Sequence, residues 1–147
     1  TDQDKYSDLD YVTGRIAECI RLVNLPADTI EKFPAQLSGG MRKRVGIARA
    51  IAGSPKYLLY DEPTSGLDPV NADIIDGLVE RLDDELGVTS VMVTHDVRGA
   101  FRVADRLALL SDGKIVIQGT PQEFRDSKHE KVREFLERDF DNPSFAA

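Results

Sequence analysis

Apolar residues return every three or four positions at Leu9, Val12, Ile16, Ile20 and Val23. That spacing predicts an amphipathic helix over residues 9–24, stopped by Pro26. A short helical turn is expected around residues 28–33. Met41, Val45, Ala48 and then Ile51 or Ala52 mark one face of a second long helix, made basic elsewhere by Arg42, Lys43, Arg44 and Arg49. The period then changes. Tyr57-Leu58-Leu59-Tyr60 is a short apolar run between Pro55 and the acidic pair Asp61-Glu62, the pattern of a buried strand. Asp68 followed by Pro69 reads as an N-cap with proline at the first helical position. Ile75, Val79, Leu82 and Leu86 give that helix its apolar face, and Gly87 ends it. Residues 88–94 are rich in β-branched side chains and predict a second buried strand. A further helix is expected over residues 97–104.

Two apolar runs, residues 107–110 and 114–117, flank Ser111-Asp112-Gly113. Asp-Gly between apolar runs predicts a hairpin. Thr120-Pro121-Gln122-Glu123 has the spacing of a capping box with proline at the first position. Val132, Phe135 and Leu136 predict a last helix near residues 129–138, and Asn142-Pro143-Ser144-Phe145 reads as an irregular tail. Strand, helix, strand, helix in mid-chain implies a parallel α/β sheet with crossover helices. The helical first forty residues read as a separate layer.

Composition narrows the function classes. Of 147 residues, 41% are hydrophobic and 31% charged, a globular balance for one domain or a piece of a larger one. Nineteen Lys and Arg against 26 Asp and Glu leave a net charge of −7, which argues against non-specific binding to nucleic acid or anionic lipid. The single cysteine, Cys19, excludes an internal disulfide and fits a reducing compartment. No apolar run reaches the roughly 18 residues of a membrane span, and the polar start is no signal peptide.

Four clusters carry candidate chemistry. Ser38, Gly39 and Gly40 stand just before the basic helix. A serine cap with two glycines leaves backbone N–H groups open at a helix N-terminus, where anions bind; an ordinary capped turn uses the same residues. Asp61 and Glu62 end an apolar strand, where α/β sheets bind ligands. One carboxylate there suits Mg²⁺ and the other a water as general base; a solvated acidic turn before Pro63 is the plainer reading. In Ser65-Gly66-Leu67-Asp68, Asp68 has a sufficient task as a helix cap. His95, at the end of the next strand, suits a phosphate oxygen or a water, or a purely structural place. His129, in a charged stretch, reads as a solvated surface residue.

The order and spacing of these clusters resemble the ATP-binding domain of ABC transporters. Leu37-Ser38-Gly39-Gly40-Met41 is similar to the family signature, with Met41 where Gln is usual. Residues 57–62 resemble Walker B, residues 65–68 the D-loop, and His95 the switch histidine. The resemblance implies a partial P-loop-NTPase-like parallel sheet with flanking helices, preceded by a helical subdomain. Residues 1–52 would be the signature-bearing helical portion. Residues 53–120 would form the C-terminal part of the catalytic core, and residues 121–147 the C-terminal helices and tail. The implied cofactors are ATP and Mg²⁺. Glu62 would orient the attacking water, Asp61 would stand on the Mg²⁺ side and His95 would face the γ-phosphate. Ser38, Gly39 and Gly40 would hold the γ-phosphate of ATP bound to a second such domain, with Asp68 at the same nucleotide. A homodimer, a transmembrane permease subunit and a place at the cytoplasmic face of the membrane follow from the same resemblance, with no nucleic acid partner. The signature ending in Met, the basic Arg42-Lys43-Arg44 and the segment Lys131-Val132-Arg133-Glu134-Phe135-Leu136 resemble ATPases of Mla/Mce-type lipid-transport systems.

One departure is an absence. No G-x-x-x-x-G-K-[S/T] occurs in the sequence, so no P-loop, and with it no Walker A strand, is present to cradle the phosphates. The chain therefore resembles the C-terminal part of such a domain and is expected to be inactive by itself. Without a neighbouring P-loop strand, residues 88–94 would keep an unpaired edge and be prone to self-association. The alternative function is a non-catalytic module that lends its signature to a partner.

Overall fold

The computed structural model describes residues 7–140. The chain divides into two compact units, Thr1–Val93 and Thr94–Ala147. The tail around Asn142-Pro143 lies outside the described residues.

In the first unit, α1 spans Leu9–Leu22 and starts on the Asp8 carboxylate, which accepts from the Asp10 and Tyr11 amides. Asn24, at φ +53°, closes the helix as the Leu25 N–H returns to the Ile20 carbonyl at 3.1 Å. That is a Schellman-type ending with asparagine in the left-handed position. The predicted turn resolves into two 3₁₀ segments, Ala27–Glu31 and Pro34–Gln36. Helix α2 covers Gly39–Ile51, β1 Tyr57–Asp61, α3 Pro69–Leu86 and β2 Thr89–Val93. Gly87 ends α3 at φ +61°.

Cys19, Ile20 and Leu22 of α1 and its C-cap Val23 pack with Ile47 and Ile51 of α2, Leu58 and Tyr60 of β1, and Ile75, Val79 and Leu82 of α3. Arginines lace the layers together. Arg15 donates to the Ile51 and Ala52 carbonyls at 2.7 and 3.0 Å, answering acceptors that the end of α2 leaves without helical partners. Arg44 donates to the Asn24 carbonyl at 2.9 Å, and Arg81 to the Asn24 side chain at 3.2 Å.

The sheet of this unit has two parallel strands, with Tyr57 opposite Thr89 and Asp61 opposite Val93. Here the expectation of buried strands needs correction. Leu58 and Tyr60 point into the core, whereas Tyr57 and Leu59 are 71% and 83% exposed, and Val91 and Val93 are exposed as well. The reason is geometric. Strand side chains alternate between faces, and only the inner face meets the buried cluster of the unit's helices. Among the described residues β2 pairs with β1 alone, so its other edge carries open backbone groups.

In the second unit, α4 (Val97–Val103) precedes an antiparallel hairpin of β3 (Leu107–Ser111) and β4 (Lys114–Gly119). Asp112 and Gly113 both have positive φ, +52° and +73°, as a two-residue turn matched to strand twist requires. Helix α5 (Pro121–Arg125) opens on the expected capping box: Thr120 Oγ1 accepts from the Glu123 N–H, and Glu123 accepts from the Thr120 N–H. Helix α6 spans Glu130–Phe140. Val97, Phe124, Val132 and Leu136 form the core of this unit, and the Phe101 and Phe124 rings meet edge to face at 6.3 Å. Lys131 reaches back to the turn and pairs with Asp112 at 2.5 Å.

Three exposed carboxylates sit below their usual range. The Lys131 ammonium lowers Asp112, the Asn71 side chain lowers Asp68, and the Thr120 N–H lowers Glu123. A depressed folded-state pKa means that the unfolded chain binds more protons, so stability is gained above the ordinary carboxylate range and lost as pH falls through the folded value. The urea midpoint is therefore expected to fall on acidification below about pH 4, and less steeply in Asp112→Asn. Equal acid slopes in parent and variant would contradict the assignment.

Candidate functional site

Ser38 is extended, at φ −65° and ψ 166°, and its Oγ accepts from the Met41 N–H at 3.2 Å. It is the N-cap of α2, as its sequence position suggests. Gly39 and Gly40 then form the first turn. The site is crowded on one side. A Cβ on Gly40 would lie 2.9 Å from Asn71 Oδ1, and one on Gly39 would lie 3.6 Å from Leu67. Glycine at position 40 thus lets α2 close onto the start of α3. Asn71 is fixed in turn by Asp68, which accepts from its side chain at 2.6 Å and from its backbone N–H at 3.1 Å. The structure therefore brings Ser38, Gly39, Gly40, Leu67 and Asp68 together through Asn71, which the sequence reading passed over. Its signal was the Asp-x-x-Asn spacing at the helix start.

Asp61 is exposed at the carboxyl end of β1. Glu62 follows at φ +47°, although the residue before a proline is biased toward extended backbone. Non-glycine residues in this region carry strain of about 1–3 kcal/mol and persist where their surroundings fix them. Here they do. The Glu62 N–H donates to the Val93 carbonyl at 2.9 Å, and the Glu62 carbonyl accepts from the Ser65 N–H at 3.2 Å and from Lys43 Nζ at 3.0 Å. The carboxylate Oε2 is enclosed by protein. In the sequence Lys43 is one residue of a basic helix face. The contact crosses 19 positions, and no local pattern announces it.

Two more residues of that basic face are engaged: Arg42 folds back to the Leu37 carbonyl and Arg44 holds Asn24, while Arg49 is exposed. Between α2 and the turn after Glu62 lies a shallow groove of about 350 Å³, lined by Gly39, Arg42, Lys43, Gly46, Ser65, Gly66 and Leu67.

His95 belongs to the second unit. It is exposed and stands between Thr94, whose Oγ1 accepts from the Asp96 N–H at 3.0 Å, and Asp96, which caps α4 through the Gly99 N–H at 3.0 Å. His129 is also exposed.

The donor set can be tested against the implied cofactors. Mg²⁺ prefers one or two carboxylates together with substrate phosphates and waters over an all-protein cage. Asp61 with Glu62 beside it fits that role, and no group of three metal-ligating side chains occurs among the described residues. For ATP, the first turn of α2 offers backbone N–H groups and the Ser38 hydroxyl proton. That suits the outer face of a phosphate, not a full cradle.

Comparison with known proteins points to one family. Residues 5–65 match the ABC transporter family. A probable amino-acid ABC transporter ATP-binding protein of Sinorhizobium fredii is 47% identical over 123 residues, 83% of this chain and 48% of that protein. A methionine import ATP-binding protein of Caulobacter vibrioides is 45% identical over 85% of this chain and 38% of its own length. A carnitine transport ATP-binding protein of Listeria monocytogenes is 39% identical over 85% of this chain and 32% of its own length. The chain thus spans about half or less of the curated relatives it matches. Among solved structures, the ATP-binding cassette MJ0796, seen as a dimer in a post-hydrolysis state with ADP and Pi, superposes with a TM-score of 0.64. It is 38% identical, over 74% of this chain and 46% of that one.

Proposed function

We infer that this chain, a stretch of an ABC transporter ATP-binding domain, supplies the signature face and the carboxylates of an ATPase site whose phosphate cradle lies outside it. The observation that carries the reading is Glu62: a carboxylate at the end of a parallel strand, with its N–H held by Val93 and its carbonyl by Ser65 and by Lys43 of the helix that Ser38 caps.

In this reading Ser38, Gly39 and Gly40 meet the γ-phosphate of ATP bound by a second domain; that the similar cassette structure is a dimer supports such a pairing. Glu62 orients a water and takes its proton as oxygen bonds to the γ-phosphorus and the bond to ADP breaks. Asp61 stands where a Mg²⁺ ion, when bound, would offset phosphate charge. Asp68 borders the nucleotide while fixing Asn71, and His95 is the residue of the second unit proposed for a phosphate contact. The whole subunit would drive a membrane permease from the cytoplasmic face. The relatives named above carry amino-acid, methionine or carnitine transport in their names, so the cargo proposed is an imported amino acid or similar small solute. They lend no support to the lipid cargo suggested by Met41 and the basic run.

A substitution at the cap tests this reading. In the subunit that carries this chain, Ser38→Arg is expected to abolish turnover while nucleotide affinity stays close to the parent value, because Ser38 serves the partner's nucleotide. Retained turnover in steady-state phosphate release would overturn the assignment.

A further inference from the structure

We propose that Lys43 is a positioning residue for Glu62, joining the signature helix to the general base within one chain. The inference rests on the ATPase reading above and adds a residue to it. Lys43 lies one turn after Gly39 on α2 and is half-buried along the groove that separates this helix from Ser65, Gly66 and Leu67. Its Nζ donates to the Glu62 carbonyl at 3.0 Å. The same oxygen accepts from the Ser65 N–H, and the Glu62 N–H is taken up by Val93.

Three partners from three places thus hold the two peptide groups that flank the Glu62 Cα. Val93 comes from the neighbouring strand and Ser65 from the turn itself. Lys43 is the partner that comes from α2, the helix that Ser38 caps. Glu62 needs such support, since its φ of +47° is disfavoured for a non-glycine residue and again for one preceding proline. A charged donor to a carbonyl is stronger than a neutral one. A shift of α2, as when Ser38 and Gly39 engage a phosphate, would pass through Lys43 to the peptide that aims the carboxylate.

Two readouts test this. In the chain itself, Lys43→Met keeps the aliphatic stem and removes the donor. It is expected to move the Glu62 carbonyl carbon resonance and its HN–Hα coupling, and Lys43→Arg to restore both. In the intact subunit, Lys43→Met is expected to lower kcat on the order of tenfold with KM for ATP unchanged, again restored by Lys43→Arg. A Glu62 resonance that Lys43→Met leaves in place overturns the proposal. So does an unchanged kcat in a subunit where Glu62→Gln abolishes turnover. A Glu62→Gln subunit that still turns over overturns the underlying ATPase reading instead, and the two failures are thereby told apart.

Discussion

Glu62→Gln in the intact subunit is expected to reduce ATP turnover by about 10²–10⁴-fold, the range that a positioned general base supplies. The substitution is nearly isosteric, so the strand end should keep its shape. The Glu62 N–H and carbonyl bonds to Val93, Ser65 and Lys43 are backbone acceptors and donors that glutamine preserves. What disappears is the ability to accept a proton from water. Nucleotide binding should therefore survive, and a nucleotide-loaded state should accumulate. Pre-steady-state phosphate release distinguishes this from a folding defect: binding kept with chemistry lost supports the role, and near-parent turnover removes it.

Leu82→Ala is expected to cost about 2–5 kcal/mol of stability. Leu82 is fully buried on α3, packed in the same cluster as Ile51 and Ile75. Removing three carbons there leaves a void whose walls are three elements tied together by Arg15, Arg44 and Arg81, so collapse around it is restricted. Domains of this size are stable by only about 5–15 kcal/mol, so the loss is a large share of the total. Leu59→Ala is the internal control. Leu59 is 83% exposed on the bare face of β1, and its truncation should stay within about 0.5 kcal/mol. Urea unfolding with unchanged m-values measures both. A Leu59 cost equal to that of Leu82 would mean that the outer face of the sheet is covered in solution.

Much of the fold was legible because its signals are local. Asp68-Pro69 at one end and Gly87 at the other bounded α3, and Asp112-Gly113 placed the hairpin turn. Thr120 and Glu123 placed the start of α5. Each is a hydrogen bond or a positive φ decided within four residues. The exposure of the strands was not legible. Tyr57-Leu58-Leu59-Tyr60 has no alternation, so nothing in the run shows that one of its faces is bare. In the site, Ser38 as a cap and the Asp61-Glu62 pair at a strand end followed from residue type and position. Lys43 did not, because its contact with Glu62 depends on how α2 packs against the turn after β1. Asn71 was within reach of the Asp-x-x-Asn pattern, but its closeness to Gly40 is tertiary.

Calorimetric titration of Mg·ATP into the purified chain tests most directly the division of labour between this chain and the rest of an ATP site. In the proposed reading the chain supplies a signature face and carboxylates, and its sequence holds no P-loop, so no saturable heat is expected at micromolar nucleotide. Stoichiometric micromolar binding would contradict the account, because it would require a phosphate cradle among residues assigned other roles here.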